Sequence, residues 1–187
     1  AIINAKAENM PKDNIEAAIK RASAKDTASM LEVNFEGKAP HGVLIFIECM
    51  TDNNTRSVAN VKNILTKHGG EMLTNGSLEF MFDRKAVIEF ELKEGMDVEE
   101  LELELIDAGL EEIEAEDGIA IVTGDYTSFG TLTKALEDMG IEITKANLER
   151  MANTPITISD SQQEDIDKIL ERLEDDEDVQ KVFTNLA

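Results

Sequence analysis

The chain holds one cysteine, Cys49, and two histidines, His41 and His68, the side chains from which a thiol nucleophile and its base would be drawn. Cys49 lies in Val43-Leu-Ile-Phe-Ile-Glu-Cys-Met, a nearly unbroken apolar run of the kind that forms a buried central strand. His68 falls at the predicted end of a helix, where the helix dipole favours a cation and gives it a structural reason to be there. A nucleophilic pair would require the two to meet in space. No Ser-centred elbow and no Gly-rich phosphate cradle occurs. Gly69-Gly70 follows a helix and reads as its stop. Carboxylates abound, but none has the spacing of an EF-hand loop. Asp175-Asp-Glu-Asp could hold a cation loosely or be a solvent-exposed turn. The residues therefore predict a non-enzymatic protein with no cofactor and no metal site.

The spacing with sharper chemical content lies on the helix expected from Asn54. Arg56, Asn60, Asn63 and Lys67 recur by steps of three and four, so they share one face, with Val58, Val61 and Leu65 on another. A face of Arg, Asn and Lys can contact phosphates, and Asn can also read base edges. The alternative is a merely solvated helix face. The formal charge of -22, with a pI near 4.3, argues against nucleic acid when taken alone, since phosphate binding needs a basic footprint. Its distribution changes that reading. Acidic residues crowd Glu89 to Glu116 and Asp160 to Asp178, whereas residues 1–85 are close to neutral. Polyanion contacts would have to use Lys12, Lys20, Arg21, Arg56, Asn60, Asn63, Lys67, Arg84 and Lys85. The acidic half reads as a solvated surface that keeps the protein soluble, or as a surface for a basic protein partner.

Hydrophobic residues make up 42% and aromatics 4%, with no Trp, so the core must be aliphatic. The lone cysteine excludes an internal disulfide. No stretch approaches the ~18 apolar residues of a membrane span, and no signal peptide is visible, which predicts a cytoplasmic protein without a membrane partner. Ala1-Ile-Ile-Asn-Ala-Lys-Ala-Glu reads as the middle or end of a helix, which suggests that sequence upstream is missing.

Pro11 and the stripe Ile15, Ala18, Ile19, Ala22 predict a helix over 11–25, and Ser23 to Ser29 a polar linker. Leu31 to Phe35 and Val43 to Met50 predict a hairpin. Asn53 or Asn54 should cap a helix to His68, followed by a strand over Leu78 to Phe82. Ala86 to Leu92 predicts a strand. Asp97 with Glu100 predicts a capped helix to Gly109. Asp117-Gly118 predicts a tight hairpin, and Ser128 the cap of another helix. A strand follows over Ile141 to Glu149. That order, β-α-β-β-α-β, is the ferredoxin-like split unit. Ser159 with Gln162 should cap a last helix, and a strand over Val179 to Phe183 is expected to complete the earlier sheet.

Several motifs, in order, resemble the YebC/PmpR family. They are Asn9-Met-Pro-Lys-Asp-Asn-Ile-Glu, Glu36-Gly-Lys-Ala-Pro-His-Gly-Val, Glu48-Cys-Met-Thr-Asp-Asn-Asn-Thr-Arg, Thr66-Lys-His-Gly-Gly, Asn75-Gly-Ser with Phe82-Asp-Arg-Lys, and Leu173-Glu-Asp with Asp178-Val-Gln. The family more often has Tyr-Gly-Pro-Gly-Gly at Lys38 to Gly42, Gly at Ala86, Arg at Asn54 and Asp at Asn75. The resemblance implies an α+β protein of three domains: an N-terminal helical domain, truncated here, and two ferredoxin-like α/β domains, one inserted in the other. The expected divisions are 1–28, then 29–85 with 155–187, and 86–154 as the acidic insertion. The resemblance also implies a basic N-terminal stretch absent from this chain. It implies a cytoplasmic transcriptional regulator that binds DNA, or a factor that promotes translation on the ribosome through rRNA.

Overall fold

The computed structural model describes residues 2–22 and 30–187; the polar linker expected over Ser23 to Ser29 lies outside the described residues, as does the side chain of Arg21. The helices are α1 (Ile2–Ala7), α2 (Lys12–Ala22), α3 (Asn54–Lys67), α4 (Val98–Leu105), α5 (Phe129–Asp138) and α6 (Asp160–Glu174). The strands are β1 (Leu31–Lys38), β2 (Leu44–Thr51), β3 (Glu71–Met72), β4 (Phe82–Glu91), β5 (Leu110–Glu116), β6 (Ile119–Asp125), β7 (Ile143–Ala152) and β8 (Val179–Thr184). They form an α+β structure with two four-stranded sheets, ordered β3-β1-β2-β8 and β5-β6-β4-β7. Contacts divide the described residues into two compact units, 2–22 with 84–149 and 30–83 with 150–187.

In the first unit, β4, β5, β6 and β7 follow the ferredoxin-like order, with α4 and α5 as the crossovers. Phe90, Leu105, Leu132 and Leu136 are fully buried at its centre. Asp117-Gly118 turns β5 into β6 with φ of 51° and 80°, the doubly left-handed turn that such a hairpin requires. Helix α4 starts at Asp97, whose carboxylate accepts from the Glu99 amide at 2.9 Å. The stop after α4 is Gly109, at φ 101°. Ser128, expected as a side-chain cap, makes no capping bond. Asp125 takes that role three residues earlier, accepting from the Thr127 amide at 2.9 Å, because a 3-10 turn over Tyr126–Ser128 precedes α5. Helix α1 is tied to β7 through Asn4, whose amide donates to Asn147 and accepts from the Ala146 amide, both at 2.8 Å.

Gly124 in β6 is set by close approach. A Cβ there would meet the Gly109 carbonyl oxygen at 2.5 Å and Leu132 Cδ1 at 2.7 Å. Gly124→Ala is expected to cost about 1–3 kcal/mol of stability as an overpacking change, measurable by chemical unfolding.

The second unit is built on the hairpin β1–β2, paired in register from Leu31 opposite Thr51 to Lys38 opposite Leu44. Strand β3, not among the strands expected from the sequence, joins the outer edge of β1; β8 returns to pair with β2, as the sequence predicts. One face of the sheet packs on α3 and α6 through Phe35, Ile45, Ile47, Val61, Leu65, Ile166, Ile169 and Leu173. The period of two sends Phe46 to the opposite face, where it meets Leu78 and Phe82.

The alternating segment Leu78 to Phe82 is not a strand throughout. Residues 75–81 form turns, and β4 begins only at Phe82. The cause is Glu36, whose buried carboxylate binds the Gly76 and Leu78 amides at 2.7 Å and 2.6 Å. Those amides are bent toward one carboxylate and do not extend along a ladder.

Candidate nucleic-acid interface

Helix α3 is held by its first turn. Asn53 donates its amide to Thr51 Oγ1 at 3.0 Å and accepts the Arg56 amide at 3.2 Å, which satisfies one of the free N–H groups of the helix start. Ser57, fully buried, donates its hydroxyl to Asp178 at 2.8 Å. Arg56 grips the same carboxylate with two nitrogens, Nε at 3.1 Å and a terminal nitrogen at 2.6 Å, and reaches Asp52 at 2.9 Å. Asn60 donates to Asp176 at 2.9 Å. The Met50 amide donates to the Asp178 carbonyl at 2.8 Å. The run Thr51-Asp-Asn-Asn-Thr-Arg-Ser is therefore half of a clamp, and the other half is the acidic turn between α6 and β8.

The electrostatics follow from this geometry. The Arg56 guanidinium, with help from the Ser57 and Thr51 hydroxyls, holds the Asp178 carboxyl below the usual range against the opposing effect of burial. Asp178 in turn pushes the Arg56 guanidinium further up. The turn Asp175-Asp-Glu-Asp does hold a cation, but that cation is the chain's own arginine. Proximity in sequence gave no sign of this, since Arg56 and Asp178 are 122 residues apart.

On the outer face of α3, Asn63 and Lys67 are exposed, and no carboxylate among the described residues pairs with Lys67. The other predicted contacts lie in the first unit. Lys12 is exposed and 3.6 Å from Glu16 within α2, and Lys20 is exposed on the same helix. Arg21 belongs to α2, with its side chain outside the description. The Arg84 guanidinium sits 5.0 Å from the centre of the Tyr126 ring. Lys85, half-buried, is 2.6 Å from Glu111. The structure thus brings Arg56, Asn60, Asn63 and Lys67 onto one helix, but engages the first two with aspartates.

The remaining chemical candidates are accounted for by packing. Cys49 is buried, and burial, followed by Asp176 and Asp178, pushes its thiol up to about 12. It is a neutral thiol at physiological pH and not a nucleophile. His68 donates a ring N–H to the Ile64 carbonyl at 2.8 Å, at the C-terminal end of α3. His41, at φ 63°, lies 3.4 Å from Asp165 and 3.3 Å from Gln162.

The family model for the TACO1/YebC second and third domain matches residues 30–186. The chain belongs to the TACO1/YebC family. A "probable transcriptional regulatory protein" of Sulfurimonas denitrificans is 77% identical over 187 residues, covering all of this chain and 79% of its relative. A similarly named protein of Wolinella succinogenes is 61% identical, again over all of this chain and 79% of the relative. Among solved structures, a conserved hypothetical protein of Aquifex aeolicus superposes with a TM-score of 0.80 at 32% identity, over 98% of this chain and 76% of that one. The α+β architecture with two sheets is therefore that of the TACO1/YebC family. In this member the Asp-Asn-Asn-Thr-Arg and Asp178-Val-Gln motifs meet in one clamp.

Proposed function

We propose that this chain is a nucleic-acid-binding regulatory protein that contacts DNA and catalyses no reaction. The observation that carries the reading is the 77% identity, over the whole chain, to a relative named as a transcriptional regulatory protein. The interface supports it physically. The clamp fixes α3, and its outer face offers Asn63 and Lys67, an amide and a cation that no carboxylate among the described residues pairs with, to phosphates and base edges. Lys12, Lys20, Arg21, Arg84 and Lys85 supply further contacts, while Arg56 and Asn60 serve by positioning the helix. The acidic insertion over 86–154 faces away from nucleic acid or meets a basic protein. The domain divisions 1–28, 29–85 with 155–187, and 86–154 belong to the same reading. No described helix is long and apolar enough to cross a membrane, and we place the protein in the cytoplasm.

A second reading, a translation factor that contacts rRNA on the ribosome, is favoured by the charge. A chain at -22 gains little from a duplex backbone, whereas RNA recognition relies more on unpaired bases and shape. Co-sedimentation with purified ribosomes at physiological salt, with excess duplex DNA as competitor, separates the two. Loss of pelleting on adding DNA supports DNA regulation, and pelleting that survives DNA supports the ribosome. Failure to bind either polymer overturns both.

A further inference from the structure

Of the seven phenylalanines, Phe80 alone is left in water, at 86% exposure; the others are buried or half-buried. The exposure is not that of a slack loop. Glu36 binds the amides on either side of Ser77 at 2.7 Å and 2.6 Å. Asn75 donates to the Asn34 carbonyl at 3.0 Å. Leu78 and Phe82 are buried on each side of the ring. Asn153 receives the chain after it, its own amide donating to the Met81 carbonyl at 3.0 Å and its side chain to the Phe80 carbonyl at 3.1 Å. A ring held outward by this many bonds is preorganised for a partner.

We propose that Phe80 and Asn153 form a platform for a single unpaired nucleobase, a site that rests on the nucleic-acid reading above. The base stacks on the Phe80 ring, and the Asn153 amide meets its edge. Asn153 uses one side-chain N–H on Phe80, which leaves its oxygen and second N–H for a base. An aromatic face beside a free amide matches the two surfaces that every base presents, a π-face and a polar edge. The surroundings fit a base better than a protein. Asn75, Gly76, Ser77 and Glu79, which precede Phe80 in the chain, are exposed and small or polar, so they do not build the excluding apolar rim of an aromatic hot spot in a protein interface. A Cβ placed on Gly76 would lie 3.9 Å from the Glu79 carboxylate, so Glu79 folds back toward the loop and leaves the ring uncovered.

The chain has no Trp, so Phe80→Trp introduces a single tryptophan at the platform, excited apart from Tyr126 at the red edge of indole absorption. Titration with single-stranded oligo(U) and oligo(dT) is expected to quench it, the tighter of the two indicating whether RNA or melted DNA is the source. Phe80→Ala is expected to weaken oligonucleotide binding, measured by anisotropy of a labelled strand, by about 5- to 150-fold with an unchanged melting temperature. Asn153→Ala is expected to weaken it less. If labelled strands bind Phe80→Ala as well as the unchanged chain, and the introduced indole is not quenched, the platform is wrong while the nucleic-acid reading stands. The platform is equally overturned if Phe80→Ala affects only retention of a protein partner. If no single strand or duplex binds the unchanged chain, the reading falls and the platform with it.

Discussion

Arg56→Ala is expected to lower the unfolding free energy, by less than the cost of breaking a fully buried ion pair. The reason is the partner left behind. The Asp178 side chain is 7% exposed, and without the guanidinium it keeps only hydroxyl donors from Ser57 and Thr51. Arg56 itself reaches solvent at 47%, which places the effect below the fully buried range. The pH dependence carries a sign. Asp178 has its folded pKa held down, chiefly by Arg56. Its contribution is therefore complete above the unfolded carboxylate value of about 3.9 and is lost as pH falls through the lower folded value. The difference between Arg56→Ala and the unchanged chain is expected to be largest near neutral pH. It narrows in acid, where protonation removes the charge that the variant leaves unpaired. Urea titrations at a series of pH values measure this; a difference independent of pH would contradict the clamp.

Glu36→Ala is expected to cost about 2–4 kcal/mol, because charge-assisted hydrogen bonds are each worth about 1.5–3 kcal/mol and the donors remain behind unsatisfied. Glu36 is 4% exposed, and Leu78, whose amide it holds, is buried as well. The second consequence is local. With the carboxylate gone, the turns over 75–81 lose their main tether to β1. Amide exchange at Gly76 and Leu78 is expected to rise more than at Ile45 or Ile47 in the sheet core. Uniform acceleration across the second unit would mean that Glu36 stabilises the whole unit and does not specifically brace the loop. Glu36→Gln, which keeps an acceptor oxygen, is expected to retain part of the stability.

The elements that were legible in the sequence are those whose signals are local. Asp117-Gly118 fixes its hairpin through two left-handed residues. Ser159 and Gln162 close a capping box within one turn of α6. The apolar stripe of α3 buries Val61 and Leu65 as its spacing requires. The misread elements depend on distant partners. Leu78 to Phe82 alternates like a strand, but Glu36, 42 residues before Leu78, bends its amides into turns. Ser128 has the type of a cap residue, yet Asp125 caps first because a 3-10 turn intervenes. The same distance hid the chemistry of the site. Arg56 looks like a phosphate contact from its spacing, and only the fold shows Asp178 waiting for it. Phe80 carried a weak signal, an aromatic flanked by Gly76-Ser77 and Glu79, that periodicity assigned to a strand.

The most direct measurement is the salt dependence of affinity for single-stranded and duplex nucleic acid, compared between the chain and Lys67→Ala. The logarithm of the affinity is expected to fall linearly with log salt, with a slope smaller by about 0.7–0.9 in the variant, the loss of one phosphate contact. Absence of binding even at low salt, or a slope that Lys67→Ala leaves unchanged, would contradict a nucleic-acid contact through the outer face of α3.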